Sequence, residues 1–230
     1  MDVTVVLPSL NPDEKLNSVV DGLIQKGFTD IVVVNDGSKA DHLEPFKKAA
    51  EHPEVTVLTH EVNKGKGRGL KTAFEFVLKN RPDSKGVVTV DGDGQHTSHD
   101  ILKCAERMLS EKNKVVLGCR DFDSPNVPPK SRFGNKTTSR VFSMFCGMKI
   151  SDTQTGLRAI PREFLPMLVQ TKGERFEYET EMFFALHKHK ISWVEETIDT
   201  VYIDDNSETH FNPFLDSIKI YRIILKFIFK

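Results

Sequence analysis

The sequence has few cysteines, and their spacing excludes several kinds of site. Only three occur in 230 residues, at Cys104, Cys119 and Cys146. None belongs to a Cys-x-x-Cys pair, which argues against a thiolate metal site and against a disulfide framework. The pattern favours a reducing compartment.

Long apolar runs and a charge imbalance are also missing. No stretch approaches about 18 uncharged apolar residues, so no segment is predicted to span a bilayer by itself. The start, residues 1–4, has no basic region, so no signal peptide is predicted and a cytoplasmic protein is expected. The 33 acidic and 32 basic residues nearly cancel, which gives no sign of a nucleic-acid partner.

Apolar runs alternate with helical patterns along the chain. This order predicts an α/β fold with a mainly parallel, doubly wound sheet flanked by helices. The predicted strands are 3–7, 31–34, 55–58, 87–90, 115–119, 157–160 and 193–201, and the predicted helices are 14–26, 41–51, 69–78, 100–109, 137–148 and 178–189. Because no linker interrupts the pattern, residues 1–212 are predicted to form one domain.

Polar, glycine-bearing segments follow four of the predicted strands. They are residues 8–11, 35–38, 91–95 and 118–120. In parallel sheets ligands bind beyond the carboxyl ends of the strands, so these segments are predicted to share one binding edge.

The most informative of these segments is Asp91-Gly92-Asp93-Gly94-Gln95, directly after a valine-rich strand. Asp91, Asp93 and Gln95 offer hard oxygen ligands, which suit Mg²⁺ or Mn²⁺ with phosphate and water completing the shell. Asp and Gly are also ordinary turn residues, so a plain turn is the alternative. The four segments at one edge favour the metal site.

Six motifs in order resemble glycosyltransferase family 2, whose members have the GT-A nucleotide-sugar-binding fold. The branch most similar is that of dolichol-phosphate mannose synthase and other polyprenyl-phosphate glycosyltransferases. The motifs are Leu7-Pro8-Ser9-Leu10-Asn11, Val33-Val34-Asn35-Asp36-Gly37-Ser38, Asn63-Lys64-Gly65-Lys66-Gly67, Asp91-Gly92-Asp93-Gly94-Gln95-His96, Gly118-Cys119-Arg120 and Asp152-Thr153-Gln154-Thr155-Gly156-Leu157-Arg158. Two positions depart from the family, with Pro12 replacing an acid and Thr97 replacing a proline.

The resemblance implies a site for a nucleotide-diphosphate sugar. Asp36 would accept a hydrogen bond from a ring N–H of uracil or guanine. Lys64 and Lys66, with the backbone N–H groups around them, would hold the diphosphate. Asp91 would reach the ribose or the metal, while Asp93 and Gln95 would bind the metal. The remaining donor-binding residues are Pro8, Leu10, Asn11, Gly65 and Gly92.

On the acceptor side the resemblance implies a lipid phosphate. Such an acceptor is already anionic and needs arginines rather than a base, and Arg120 and Arg132 stand at the matching positions. Asn135 and Gln154 are further predicted acceptor contacts. A sugar hydroxyl would instead need a carboxylate base, and Asp152 is the residue that leaves this alternative open.

Other acidic and loop residues have two interpretations each. Glu177, Glu179 and Glu181 form either a solvated, ion-paired cluster or a contact to the donor sugar. His210 is either a loop histidine or a diphosphate contact. The three-proline segment 123–129 is predicted to be a long loop, either a mobile lid or a segment on the acceptor side.

Residues 213–230 are predicted to form an amphipathic basic helix. Lys219, Arg222, Lys226 and Lys230 recur at helical spacing among large apolar residues. This pattern fits either an anionic membrane surface or a terminal helix that packs on the sheet or in an oligomer interface. We therefore expect a peripheral protein on the inner face of the cell membrane, with a separate membrane protein as a further candidate partner.

Together these features predict inverting, metal-dependent sugar transfer from a UDP- or GDP-sugar to polyprenyl phosphate. The first alternative is transfer to a hydroxyl of a cell-surface glycan or teichoic-type polymer. A nucleotidyltransferase and a non-catalytic nucleotide-sugar-binding protein are the others.

Overall fold

A computed structural model describes residues 1–124, 127, 129–199, 224, 225 and 227. The strands are β1 (Thr4–Ser9), β2 (Ile31–Asn35), β3 (Val55–Thr59), β4 (Gly86–Thr89), β5 (Lys114–Arg120), β6 (Arg158–Pro161) and β7 (Ser192–Ile198). The helices are α1 (Lys15–Gln25), α2 (Glu44–Ala49), α3 (Lys66–Asn80), α4 (Ser98–Ser110), α5 (Pro129–Cys146), α6 (Leu165–Gln170) and α7 (Glu177–Lys188). Short 3₁₀ helices occupy Ala40–His42 and Arg162–Phe164.

The seven strands form one sheet in the order β3-β2-β1-β4-β6-β5-β7. Strands β1 to β4 pair in parallel, as does β5 with β7, whereas β6 runs antiparallel between β4 and β5. The predicted mainly parallel α/β fold is confirmed. Because β6 runs antiparallel to β4 and β5, residues 152–157, which precede it, lie at the same edge of the sheet as the ends of β4 and β5.

Both faces of the sheet are covered, which explains the uninterrupted valine runs in its strands. One core cluster includes Phe74, Phe142 and Phe183, from α3, α5 and α7. The other includes Leu16, Leu23 and Ile101, from α1 and α4. Side chains alternate between the two clusters along each strand, so the strand ends are fixed from both sides.

Two elements differ from the sequence prediction. Helix α5 begins at Pro129 rather than at residue 137, which suits proline because the first helical position needs no N–H donor. Helix α6 was not predicted, since its six residues are too short to show a helical period. The rest of the predicted loop 123–129 includes residues 125, 126 and 128, which lie outside the described residues.

Most of the predicted C-terminal helix also lies outside the described residues, and so does His210. Ile224, Leu225 and Phe227 are helical. Ile224 is buried, and the Phe227 ring stacks on Phe184 with centroids 4.3 Å apart. At these residues the segment packs against α7. Within the described residues, no helix combines the length and apolarity needed to cross a membrane.

Candidate active site

The loops after β1 and β2 fasten to each other. The Asn11 N–H donates to Ser38 Oγ at 2.8 Å, and the Lys39 N–H donates to Asn11 Oδ1 at 2.9 Å. Asn11 adopts a left-handed backbone with φ of 47°, which asparagine tolerates better than most residues. Leu10 lies between Asn11 and the end of β1. These contacts fix one wall of the predicted donor site.

Asp36 secures the lysine-and-glycine loop that precedes α3. Its buried carboxylate accepts hydrogen bonds from the Lys64 N–H at 2.9 Å and the Gly65 N–H at 2.7 Å. The ring Nδ1 of His60 lies 2.7 Å from Asp36 Oδ1. Three donors therefore surround Asp36, which gives it a positioning role. Its predicted contact with a nucleobase stays a prediction.

The first turn of α3 packs tightly on the segment before α7. A Cβ at Gly65 would lie 2.4 Å from the Glu174 carbonyl oxygen, and one at Gly67 would lie 2.5 Å from Tyr178 Cβ. The Arg68 guanidinium donates twice to the Glu174 carboxylate, at 2.6 and 2.8 Å. The loop residue Lys64 and Lys66, the first residue of α3, are thus held in place by contacts on both sides.

Lys66 bridges two carboxylates at the end of β4. Its Nζ lies 2.7 Å from Asp91 Oδ1 and 3.1 Å from Glu179 Oε1. Burial acts to lower the pKa of Lys66, but the two carboxylates outweigh it and hold this pKa above its ordinary value. Burial acts to raise the pKa of Asp91, yet Lys66 brings it below its ordinary value. Both groups are therefore ionised at neutral pH.

The other predicted metal ligands stand beside this bridge. Asp93 is exposed and accepts a hydrogen bond from the Gln95 N–H at 3.0 Å. Partial burial and the neighbouring Asp91 charge raise the pKa of Asp93, so an added cation would relieve this repulsion. Gly92 places its backbone against β1, where an added Cβ would lie 2.9 Å from Ser9 Oγ. Two carboxylates at one strand end fit a divalent ion that also binds substrate phosphate.

The described residues do not form a metal cage on their own. Within them, no three His, Cys, Asp or Glu side chains are grouped closely enough to hold an ion. His96 follows the two aspartates, and its Nδ1 is buried without a hydrogen-bond partner in the described structure. Burial lowers the pKa of His96, so the ring is neutral at neutral pH.

Arg158 stabilises the segment that lies next to Asp91 and Glu179. It is fully buried in β6 and donates to the carbonyl oxygens of Glu179 at 2.8 Å and of Thr155 at 3.2 and 3.3 Å. Its guanidinium also lies over the Phe183 ring, 4.2 Å from the centroid. Arg158 therefore ties the segment before β6 to the helix that carries Glu179.

At the end of β5, Arg120 forms a bidentate ion pair with Asp152. Arg120 Nε lies 2.7 Å from Asp152 Oδ2, and Nη2 lies 3.1 Å from Oδ1. The N–H of Gln154 also donates to Asp152 Oδ1, at 3.0 Å. Asp152 is completely buried, whereas the Arg120 side chain is 23% exposed. This geometry leaves Asp152 poorly placed to accept a proton from a substrate, and it orients the Arg120 guanidinium.

The remaining predicted acceptor residues lie on or near α5. Arg132 Nη2 donates to the Ser124 carbonyl oxygen at 2.8 Å, and its Nε is buried without a partner in the described structure. Asn135 is buried and bonds to the Ser151 carbonyl and the Thr153 N–H, so it positions that segment. Gln154 is exposed. Their contacts with an acceptor stay predictions.

Several contributing residues escaped the sequence analysis. For Glu179 the ion-paired interpretation agrees with the structure, but its partner Lys66 was not predicted. His60 and Glu174 gave no signal beyond their residue type, and Arg158 ended the sixth motif without a predicted role. Thr97, noted as a departure from the family, accepts a hydrogen bond from the Asp100 N–H and caps α4.

Comparisons with known proteins show which family and fold this chain resembles. Residues 4–178 match the family model described as glycosyl transferase family 2. The UDP-N-acetylglucosamine--dolichyl-phosphate N-acetylglucosaminyltransferase of Methanococcus voltae is 27% identical, over 97% of this chain and 95% of that protein. The dolichyl-phosphate hexose transferase of Haloferax volcanii is 28% identical, over 98% and 93%.

Among solved structures, a similar fold occurs in glucosyl-3-phosphoglycerate synthase from Mycobacterium tuberculosis, in complex with Mn²⁺, UDP and glucosyl-3-phosphoglycerate. The TM-score is 0.68 at 15% identity, and the match covers 98% of this chain and 79% of that one.

Proposed function

Because this chain belongs to glycosyl transferase family 2, we propose that it transfers a sugar from a nucleotide-diphosphate sugar to polyprenyl phosphate. It is a glycosyltransferase with the GT-A fold that the six motifs predicted. The product would be a lipid-linked sugar with inverted anomeric configuration. The observation that carries the choice of acceptor is the pair of Arg120 with the buried Asp152.

The Arg120–Asp152 pair favours an acceptor that arrives without a proton to remove. A hydroxyl acceptor requires a carboxylate within hydrogen-bond reach, and both oxygens of Asp152 already accept hydrogen bonds. A phosphate monoester needs cationic donors instead, and guanidinium groups bind such oxygens well. Arg120 and Arg132 are proposed to hold it. The Nε of Arg132, which is buried and has no hydrogen-bond partner among the described residues, supports this role.

On the donor side, the loop 63–67 is proposed to hold the diphosphate. Asp36 turns the N–H groups of Lys64 and Gly65 toward itself, so the loop is ordered before substrate arrives. The two lysine side chains then supply positive charge. Pro8, Leu10 and Asn11 are proposed to line the nucleotide, with Asp36 beside the base.

Asp91, Asp93 and Gln95 are proposed to bind Mg²⁺ or Mn²⁺. When bound, the ion would offset the negative charge that builds on the departing diphosphate. For Asp91 to bind a metal, its contact with the Lys66 ammonium must rearrange. Lys66 is then proposed to pair with the diphosphate.

In the proposed reaction, a phosphate oxygen of the lipid attacks the anomeric carbon as the bond to the nucleoside diphosphate breaks. Attack from the face opposite the leaving group inverts the configuration. The chain's residues orient the two phosphates, since a bimolecular reaction gains most from fixed geometry.

The relatives support the substrate classes in this proposal. Both curated relatives carry dolichyl phosphate in their names, and one also names a UDP-sugar. The fold neighbour that holds Mn²⁺ with UDP is consistent with a divalent ion beside a uridine donor. We therefore propose a uridine nucleotide and a location on the inner face of the cell membrane.

The test is a screen of UDP- and GDP-sugars with Mg²⁺ or Mn²⁺, with and without a short polyprenyl phosphate. Released nucleoside diphosphate and sugar label extracted into organic solvent are both measured. We expect release that depends on the lipid and label that enters the organic phase. Transfer to a glycan hydroxyl without lipid would contradict the proposed acceptor, and release of pyrophosphate would contradict the reaction type.

A further inference from the structure

Helix α5 has large apolar side chains on its outer surface. Six large apolar residues are exposed in the described chain, and three of them belong to this helix: Phe133, Met144 and Phe145. Phe133 and Met144 are each 75% exposed, the highest values among the six. Single exposed apolar residues are common, but a group of them on one helix indicates an interaction surface.

The helical spacing shows that this exposure is directional. Asn135, Phe142 and Cys146 are buried and share the inner face of α5. Phe133 and Met144 are eleven residues apart, which is about three turns, and they share the opposite face. The exposed Arg140 lies between them on that face. The core packing of α5 is therefore complete without these side chains.

The charge of α5 identifies the partner. The sequence of the helix contains four basic residues, Lys130, Arg132, Lys136 and Arg140, and no acidic one. Lys136 pairs with Asp123 at 2.6 Å, and the exposed Arg140 supplies positive charge on the outer face. Basic residues beside exposed aromatic and apolar ones are typical of helices that lie in the interface of an anionic membrane. A protein partner for such a face would need a matching acidic apolar groove, whereas an anionic lipid surface supplies both properties at once.

We propose that the outer face of α5, defined by Phe133, Arg140 and Met144, docks on an anionic lipid surface. The inference rests on the proposed function for its purpose, because a polyprenyl acceptor resides in a membrane. Phe133 directly follows Arg132, a residue proposed to hold the lipid phosphate. Docking through this face brings that arginine to the level of the lipid head groups.

The experiment measures binding of the full chain to vesicles that contain phosphatidylglycerol and phosphatidylcholine but no polyprenyl phosphate. The variant Phe133→Ser/Met144→Ser removes the apolar side chains without changing charge. The matched control Val62→Ser/Leu109→Ser removes two exposed apolar residues elsewhere. We expect a fall in partition of about tenfold or more for the first pair and little change for the control.

The charge component is tested in the same way. Arg140→Gln should weaken binding to anionic vesicles but not to pure phosphatidylcholine, while Lys79→Gln, an exposed change on α3, should leave both unchanged. Equal binding by the parent and Phe133→Ser/Met144→Ser would overturn the proposal. Failure of the parent protein to bind any vesicle would also overturn it. So would self-association of the parent that is lost in Phe133→Ser/Met144→Ser, because the face would then bind a second copy of the chain.

Failure of this inference differs from failure of the proposed function. With a short, water-soluble polyprenyl phosphate, Phe133→Ser/Met144→Ser should keep the parent's turnover. With acceptor embedded in vesicles it should lose most of that turnover. Vesicle binding without any lipid-dependent transfer would retain the docking surface and reject the acceptor.

Discussion

Of the two aspartates after β4, Asp93 has the carboxylate whose negative charge is less well neutralised. Asp91 already faces Lys66 at 2.7 Å, whereas the described hydrogen bond to Asp93 comes from a backbone N–H. The raised pKa of Asp93, caused by burial and then by Asp91, expresses this imbalance. Its charge matters more to ligand binding than to the folded state.

For this reason we expect Asp93→Asn to lower the rate of metal-dependent turnover by a factor of about 100 or more. The melting temperature should stay unchanged, because asparagine keeps an Oδ1 that can accept the hydrogen bond from the Gln95 N–H. Asp83→Asn, at an exposed aspartate in the turn before β4, is the control and should keep full activity. Nucleoside diphosphate release at saturating Mg²⁺ or Mn²⁺ measures the effect. Full activity in Asp93→Asn would reject the proposed metal role.

The Arg120–Asp152 pair predicts a different response. Arg120→Ala leaves a fully buried carboxylate without its counter-ion, which should reduce the free energy of unfolding by about 3 kcal/mol. Arg120→Ala/Asp152→Ala removes both charges and should recover much of that stability. Denaturant unfolding of both variants measures the difference.

Steady-state kinetics of the two variants separates the effect of the substitutions on stability from their effect on acceptor binding. The double variant should still show a raised KM for the lipid phosphate and a nearly unchanged affinity for the nucleotide. Equal losses on both sides would place Arg120 with the donor instead.

At this scale the sequence predicted which residues form the candidate site, but not their contacts. The two aspartates were predicted from residue type and order, and the loop lysines and Arg120 from the family resemblance. The Lys66–Glu179 and Arg120–Asp152 pairs were not, because each joins residues that are distant in sequence. Such pairs depend on how elements pack, which local patterns do not encode.

At the level of elements, α3 and α5 use glycine for different reasons. Gly67 lets α3 lie against Tyr178, so Gly67→Ala should lower the free energy of unfolding by about 1–3 kcal/mol. At Gly134 an added Cβ meets no atom within 4 Å, and Gly134→Ala should raise the free energy of unfolding by up to about 1 kcal/mol. Thermal unfolding tests both. Stabilisation by Gly67→Ala would contradict the tight contact between α3 and α7.

The predicted strands and helices correspond closely to those observed, because alternation of apolar runs and amphipathic segments is strong in this chain. The direction of β6 could not be predicted, since the residues of a buried strand look alike whichever way it runs. The early start of α5 was hidden by the prolines that precede it. Element type follows from local chemistry, while direction and neighbours follow from tertiary packing.

For the whole molecule, the three buried thiols offer a test of core integrity. Burial raises the pKa of Cys104 to about 12, and it also raises the pKa values of Cys119 and Cys146. At pH 8 the thiols of the folded protein are therefore protonated and unreactive. Unfolding returns each pKa to about 8.5 and exposes the sulfur. Ellman's reagent should react slowly with the native protein. In denaturant it should label three thiols per chain.

Fast labelling of the native chain would show that the core opens readily. A Cys104→Ala variant assigns the signal, since it should remove one thiol from the denatured count and leave the slow native rate unchanged.

The placement of β6 has a consequence for how this enzyme can diversify. The chain leaves the sheet at the end of β5 and re-enters at the adjacent β6, so residues 121–157 form an excursion between neighbouring strands. Lengthening such an excursion costs little conformational entropy and leaves the pairing of β1, β2 and β4 intact. Insertions in the loop between α5 and β6 are therefore expected to leave the sheet intact, so that relatives of this chain can differ in that loop while they keep the same order of strands.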